Sequence, residues 1–276
     1  SSVSGKVSKI ADYLLISGNK AKAVVIDSDG EMTPDENLKA PEINSREDLI
    51  SALKESGIVG LGGAGFPTYA KLNVDADKIE ELVINGAECE PYVTSDSYTM
   101  LTRAEDMKEG LSALCKYFGI KKVIIGVEEN KKNAIKEMEK LANECYLTSV
   151  SVKVLPAVYP QGGEKVLIFN TTKKIVPTGK LPIDVGCVVL NCTTLAAIGS
   201  YIKTGMPLVE KCVTVDGGAL AEPKIVIAPI GTSLSELFDF CGGLTSEPSK
   251  IIYGGPMMGI SITDASLPVV KNTNAV

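Results

Sequence analysis

The chain has 276 residues, a formal net charge of −6 and a pI near 5.0. With 45% hydrophobic residues it can bury roughly two cores of ordinary domain size. The acidic balance argues against nucleic acid as a partner, and the complete lack of histidine excludes histidine triads and histidine metal sites.

Seven cysteines are scattered along the chain with no Cys-x-x-Cys spacing. That pattern suits free thiols in a reducing compartment and does not suit an iron–sulfur cluster built wholly from these residues. No apolar run reaches the roughly 20 residues of a membrane-crossing helix, and no signal peptide opens the chain. Reaction chemistry is therefore expected to come from a cofactor.

Residues 1–30 read as short strands, with Ala21–Ile26 the clearest, closing on an Asp-Ser-Asp-Gly turn. The start is expected to fall inside a β unit. Residues 31–44 are polar, hold two prolines and read as a linker. Ser45 predicts an N-cap for a helix over 46–55, with Gly57 just past its end. Next comes Gly57-Ile58-Val59-Gly60-Leu61-Gly62-Gly63-Ala64-Gly65-Phe66-Pro67-Thr68-Tyr69-Ala70-Lys71, a stretch without one acidic residue. Glycine lets N–H groups turn toward a ligand and lets the main chain approach it, so this loop suits a phosphorylated cofactor. The spacing is not that of a P-loop, since no Gly-Lys-Ser/Thr follows.

A strand is expected over 81–85, a helix over 104–118 ended by Gly119, and a strand over 122–127. A helix over about 130–142 and a strand over 150–155 follow. This alternation is that of a parallel sheet covered by helices. Tyr159-Pro160-Gln161-Gly162-Gly163-Glu164-Lys165 opens another helix. A buried strand over 185–191 leads to Thr193, the expected cap of a helix over 194–204 that Gly205 stops. From Lys211 the texture changes to short strands and one short helix over 235–240, a small α+β unit. The tail 261–276 shows no helical period.

Polar residues gather at three strand ends: the glycine loop, Asn85–Pro91 and Gln161–Lys165. Open α/β sheets bind ligands beyond the carboxyl ends of their strands, so all three are expected to line one crevice. Asn85 can offer an amide to a ring edge. Glu88, Glu90 and Glu164 are acids in apolar surroundings, each by itself more readily a solvated loop charge or a structural ion pair. Phe66 is readable as a core aromatic, and Asn191 as a turn residue.

The segments at 60–68, 85–92 and 159–165 closely resemble, in order and spacing, the C subunit of Rnf electron-transport complexes. More distantly they resemble the flavin-bearing, NADH-oxidising subunit of respiratory complex I. The resemblance implies an α/β fold with a Rossmann-like FMN-binding domain over 45–206 and a β-grasp (SLBB) domain over 211–258. It also implies a partial barrel-sandwich over 1–30 and a tail, 259–276, returning to that barrel. It implies non-covalent FMN that takes a hydride from NADH. Gly60, Gly62, Gly63, Gly65 and Lys71 would hold flavin and nucleotide phosphates, with Phe66 a further cofactor-binding residue beside them. Asn85, Glu88, Gly163 and Glu164 would lie near the ring, and Asn191 near the flavin phosphate. No catalytic acid or base and no metal are implied within these residues. The 4Fe-4S clusters of the family are expected only beyond residue 276.

The implied partners are the other subunits of a membrane electron-transport complex, with ferredoxin or a quinone-like acceptor reached indirectly. The implied place is cytoplasmic, peripheral on the inner face of the membrane. Leu61 stands where the complex I relative has an arginine, and the aromatic clamp is matched only by Phe66. Two other readings stay open. Clostridial proline-reductase electron carriers share the architecture, and a non-enzymatic SLBB assembly subunit with a lost flavin site would share the segments.

Overall fold

The computed structural model describes residues 1–14, 20–146 and 148–276. Residues 15–19 of the expected N-terminal unit lie outside the described residues. Around them β1 (Gly5–Leu14) and β2 (Lys20–Ser28) form an antiparallel pair. Val7, Ile10 and Val24 of this pair are exposed. Residues 31–44 carry neither helix nor strand. α1 (Arg46–Glu55) then starts as its sequence predicts. The Ser45 side chain accepts the Asp48 N–H, and Asp48 reaches back to the Ser45 N–H, a reciprocal capping box.

α2 (Thr68–Leu72) is a single turn that closes the glycine loop. The sheet begins with β3 (Glu81–Gly86), followed by α3 (Ser95–Thr102) and α4 (Ala104–Phe118). Then come β4 (Lys122–Glu128), α5 (Lys132–Glu144), β5 (Ser149–Leu155), α6 (Glu164–Thr172), β6 (Cys187–Asn191) and α7 (Cys192–Thr204). The four strands are parallel in the order β5-β4-β3-β6. Leu82, Val83 and Ile84 are fully buried, because helices cover β3 on both faces. Met107, Leu111, Met138, Leu195 and Ile198 fill the core on one face, while Leu167 and Ile168 of α6 cover the other. Each such buried side chain contributes about 1.5–3 kcal/mol.

α4 and α7 cross at glycines. A Cβ on Gly199 would stand 1.8 Å from Asp106 O, and one on Gly110 would stand 2.6 Å from Leu195 O. The chain lays down β3, β4 and β5 in one direction, then returns to place β6 on the other side of β3. That reversal opens a crevice at the carboxyl ends of β3 and β6.

The remaining strands build a second unit. β7 (Glu210–Val215) and β8 (Lys224–Pro229) pair antiparallel, α8 (Leu234–Phe240) packs on them, and β9 (Ile251–Tyr253) pairs with β10 (Ile260–Ile262). Val213, Val215, Leu234, Leu237 and Val269 form its own core.

Two expectations change. The cap of α7 is Asn191, whose Oδ1 accepts the Thr193 and Thr194 N–H groups; Thr193 is already inside the helix. α3 has no predicted counterpart, because its Ser, Asp and Thr residues read as loop. The tail runs along the second unit, and its Asp264 lies near Tyr13 of β1. Val276 N–H donates to Thr214 O, Leu234 N–H to Leu267 O, and Val269 N–H to Thr232 O.

Candidate functional site

The glycine loop folds back on itself. Gly60 N–H donates to Phe66 O at 2.8 Å and Gly65 N–H to Gly60 O at 2.9 Å. Gly63 and Gly65 have φ of +104° and +65°, conformations that glycine adopts without strain. The loop sits on the start of α7. Leu61 N–H donates to Thr194 Oγ1 at 2.9 Å, and a Cβ on Gly62 would stand 2.9 Å from Asn191 Nδ2. Gly62 thus lets the main chain lie directly on the Asn191 amide.

Lys71, one turn into α2, joins the loop to the segment before α6. Its ammonium donates to Glu164 Oε1 at 2.7 Å and to Val189 O, on the free edge of β6, at 3.0 Å. Both side chains of this pair are partly exposed, so the pair itself adds little stability. Glu164 opens α6, where the helix dipole favours a carboxylate, and Gly163 is the residue before it.

Asn85 lies beside Asn191 in the β3–β6 ladder. Its Nδ2 donates to Gly162 O at 3.0 Å and its Oδ1 accepts the Ala87 N–H at 3.1 Å. The amide that sequence offers to a ring edge therefore ties the 85–92 loop to the 159–163 loop. Gly162 must be glycine here, because its Cβ would stand 2.5 Å from Ala87 O.

Glu88 is 8% exposed and faces α3. It accepts the N–H groups of Asp96 at 2.8 Å and Ser97 at 3.1 Å, with the Lys131 ammonium 3.5 Å away. Burial pushes its carboxyl up to about 7, with the neighbouring Asp96 adding to the rise. Glu90 is engaged elsewhere, accepting the Met257 and Met258 N–H groups of the second unit. Phe66 is 53% exposed beside the loop, and so is not a core aromatic.

Sequence reading missed three contributors. Asp96 accepts Asn191 Nδ2 at 2.7 Å and Thr193 Oγ1 at 2.6 Å, locking the end of β6 to α3. Thr194 holds the glycine loop from α7. Lys211 of β7, only 2% exposed, donates to Leu61 O at 3.0 Å. Its burial depresses its ammonium to about 8, against the pull of Asp96. The Thr-Ser-Asp-Ser run at 94–97 carried a capping signal for Asp96; nothing near Lys211 pointed to it.

The site has groups with no protein partner. The N–H groups of Gly62, Gly63 and Ala64 have no acceptor among the described residues. A Cβ on Gly63 would meet nothing within 4 Å, so the loop faces open space there. Thr68 Oγ1, at the start of α2, and Gln161 Nε2, in the loop before α6, are buried without partners. Free main-chain donors over a glycine bend, a nearby lysine and an asparagine-capped helix start fit a phosphorylated planar group such as FMN. A cavity of about 200 Å³ is lined by Glu88, Tyr92, Glu128, Lys131 and Tyr159, touching the 85–92 segment and none of the glycine loop. A larger one, about 1060 Å³, lies around Ile58, Leu61 and Lys211, toward β7.

The family model of the Nuo51 FMN-binding domain matches residues 53–200, and that of the SLBB domain matches 212–261. The chain is 40% identical over its whole length to the C subunit of a proton-translocating ferredoxin:NAD+ oxidoreductase complex of Clostridium ljungdahlii, covering 60% of that protein. It is 42% identical to the C subunit of the Na+-translocating counterpart of Acetobacterium woodii, over 100% of this chain and 62% of that one. Against the C subunit of an ion-translocating oxidoreductase complex of Rhodobacter capsulatus it is 37% identical, over 99% of this chain and 53% of that one. The chain thus spans 53–62% of the length of these curated relatives. In fold it is similar to a chain of an NAD+-reducing NiFe hydrogenase, with a TM-score of 0.72 at 20% identity, covering 86% of this chain and 47% of that one. With its matched segment spanning more than half of its residues and its loops converging at one sheet crevice, the chain belongs to the family of the Nuo51 FMN-binding domain, with an SLBB domain after it.

Proposed function

We propose that this chain is the flavin-binding, NADH-oxidising module of an Rnf-type ion-translocating oxidoreductase complex. One observation carries the reading. The three segments separated by up to a hundred residues meet at the carboxyl ends of β3 and β6, linked by Lys71–Glu164 at 2.7 Å and Asn85–Gly162 at 3.0 Å. The names of the relatives support the complex; the matched FMN-binding family supports the cofactor.

Bound FMN would supply hydride acceptance from NADH and single-electron release. The chain's own residues bind and orient. Gly62, Gly63 and Ala64 present N–H donors, Asn191 stands against Gly62, and Lys71 reaches from α2 to Glu164. Glu164 keeps Lys71 in place while it awaits an anionic group. Asn85 holds the two flanking loops at a fixed separation, and Glu88 fixes α3 beneath them. Phe66 offers an exposed aromatic face at the rim. Gly60, Gly65 and Gly163 shape the main chain around the same opening. Electrons would leave to iron–sulfur centres outside these residues. No helix among the described residues is long and apolar enough to cross a membrane. The names of the relatives support a place among partner subunits of a membrane complex, at its inner face.

The test is direct. The purified chain is titrated with FMN, and NADH is added without oxygen. Yellow absorbance that is retained on gel filtration and bleached by NADH is the expected result. FMN retention without bleaching removes the NADH assignment and favours a carrier fed by another donor, such as that of proline reductase. No FMN uptake leaves the assembly-subunit reading.

A further inference from the structure

Three side chains from outside the flavin-domain core grip three carbonyls of the glycine loop. Lys271 Nζ donates to Gly57 O at 2.7 Å, Lys211 Nζ to Leu61 O at 3.0 Å, and Asn272 Nδ2 to Gly63 O at 3.0 Å. Lys211 comes from β7, and Lys271 and Asn272 from the tail packed on the second unit. One of the loop's glycines makes room for Lys271, while Gly65 lies at ordinary contact distance from Asn272. A Cβ on Gly57 would stand 2.7 Å from Lys271 Nζ, and one on Gly65 would stand 3.5 Å from the Asn272 side chain.

Peptide geometry turns these grips into a directional effect. A trans peptide points its C=O and its N–H in opposite directions. The only cis bond among the described residues is Tyr159–Pro160. The Leu61 carbonyl shares a peptide with the Gly62 N–H, and the Gly63 carbonyl shares one with the Ala64 N–H. Pulling those two carbonyls toward Lys211 and Asn272 therefore aims two N–H groups the other way. Both are among the donors that have no acceptor in the described residues. The two ammonium groups behind the loop also add positive potential for an anion in front of it.

We propose that Lys211, Lys271 and Asn272 are positioning residues, through which the SLBB unit and its tail hold the glycine loop with Gly62 and Ala64 N–H groups aimed at an acceptor oxygen of the flavin nucleotide. This rests on the FMN reading above. The second unit is then part of the cofactor site without touching the cofactor. Ordering the loop in advance spares the cost of ordering it on binding.

The test uses Asn272→Ala and Lys271→Met in chain 1–276, with Lys271→Arg as the conservative control. Asn272 is exposed and Lys271 half-buried, so both variants are expected to fold. Lys211 is too deeply buried to carry the test alone. Two quantities are read: the FMN dissociation constant, from flavin fluorescence quenching, and backbone order parameters of residues 60–65 without flavin. Loss of one hydrogen bond is expected to weaken FMN binding about fivefold in each variant. Order parameters should drop toward about 0.6 from the rigid value near 0.85, with Lys271→Arg close to the parent. Unchanged affinity and an equally rigid loop in both variants would overturn the proposal. A parent chain that binds no FMN would refute the flavin reading; the order parameters would then still decide whether the grips hold the loop.

Discussion

Glu88 accepts the backbone N–H of Asp96 at 2.8 Å, so a carboxylate eight residues upstream satisfies the first turn of α3. The Asp96 side chain points on to Asn191 and Thr193. Two acids thus lie next to one another in a mostly buried setting, one anchoring a helix start and the other a strand end.

This pairing gives a pH prediction. The Glu88 carboxyl lies near 7 in the folded chain, above its ordinary value of 4.5. The folded state then holds more protons than the unfolded one between those values, so Glu88 makes stability fall as pH rises from about 4.5 to about 7. Urea unfolding at half-unit pH steps should show this slope in the parent and a flatter one in Glu88→Gln. Parallel curves would remove the buried-carboxyl account.

Lys211 acts in the opposite sense at higher pH. Its ammonium is depressed to about 8 from 10.5, so the unfolded state binds more protons across that interval. Its contribution to stability is present above about 10.5 and is lost as pH falls through about 8. Lys211→Met should flatten the alkaline limb measured by the same method. A limb unaltered by the substitution would place the titration on another group.

Lys71→Met separates binding from stability. The Lys71–Glu164 pair is partly exposed, so its loss should cost at most about 1 kcal/mol. FMN affinity should nevertheless fall about tenfold, because a partly exposed ammonium available to an anionic group is lost. Equal FMN affinity in parent and variant would remove Lys71 from the site.

Gly63→Glu should abolish flavin absorbance. The position has φ +104° and open space on its Cβ side, so the new carboxylate would project there with a backbone strain of about 1–3 kcal/mol. The circular dichroism spectrum should stay that of the parent. Full FMN occupancy in the variant would contradict the placement of the loop.

Gly199→Ala addresses the fold alone. The added methyl would stand 1.8 Å from Asp106 O in a contact between main chains, where no side chain can yield. Destabilisation of at least about 3 kcal/mol, or insoluble protein, is expected. A variant melting within a degree or two of the parent would show that α4 and α7 can part at little cost.

Much of the α/β domain was legible in order. The core strands read as β-branched runs because both their faces are buried, and α4 read as a helix because its apolar residues recur on one face before Gly119. The α1 boundary came from Ser45 and Asp48, a purely local signal. α3 was missed because its polar first turn is satisfied by Glu88, which comes from another element. Thr193 looked like the cap of α7 because it is a hydroxyl after a strand; Asn191, two residues earlier, takes both free N–H groups.

The sequence by itself determined which residue types could form a cofactor loop, and that three segments of matching character existed. Only the tertiary structure decided what each member of those segments does. Five glycines in a row of nine look alike in one dimension. In the fold Gly57 yields space to Lys271, Gly65 turns the chain at φ +65°, Gly62 lies on Asn191, and Gly63 faces open space. The reason is that a missing side chain records only that something lies close or that φ is positive. What lies close is set by residues up to some two hundred positions away, as Lys271 at Gly57 shows.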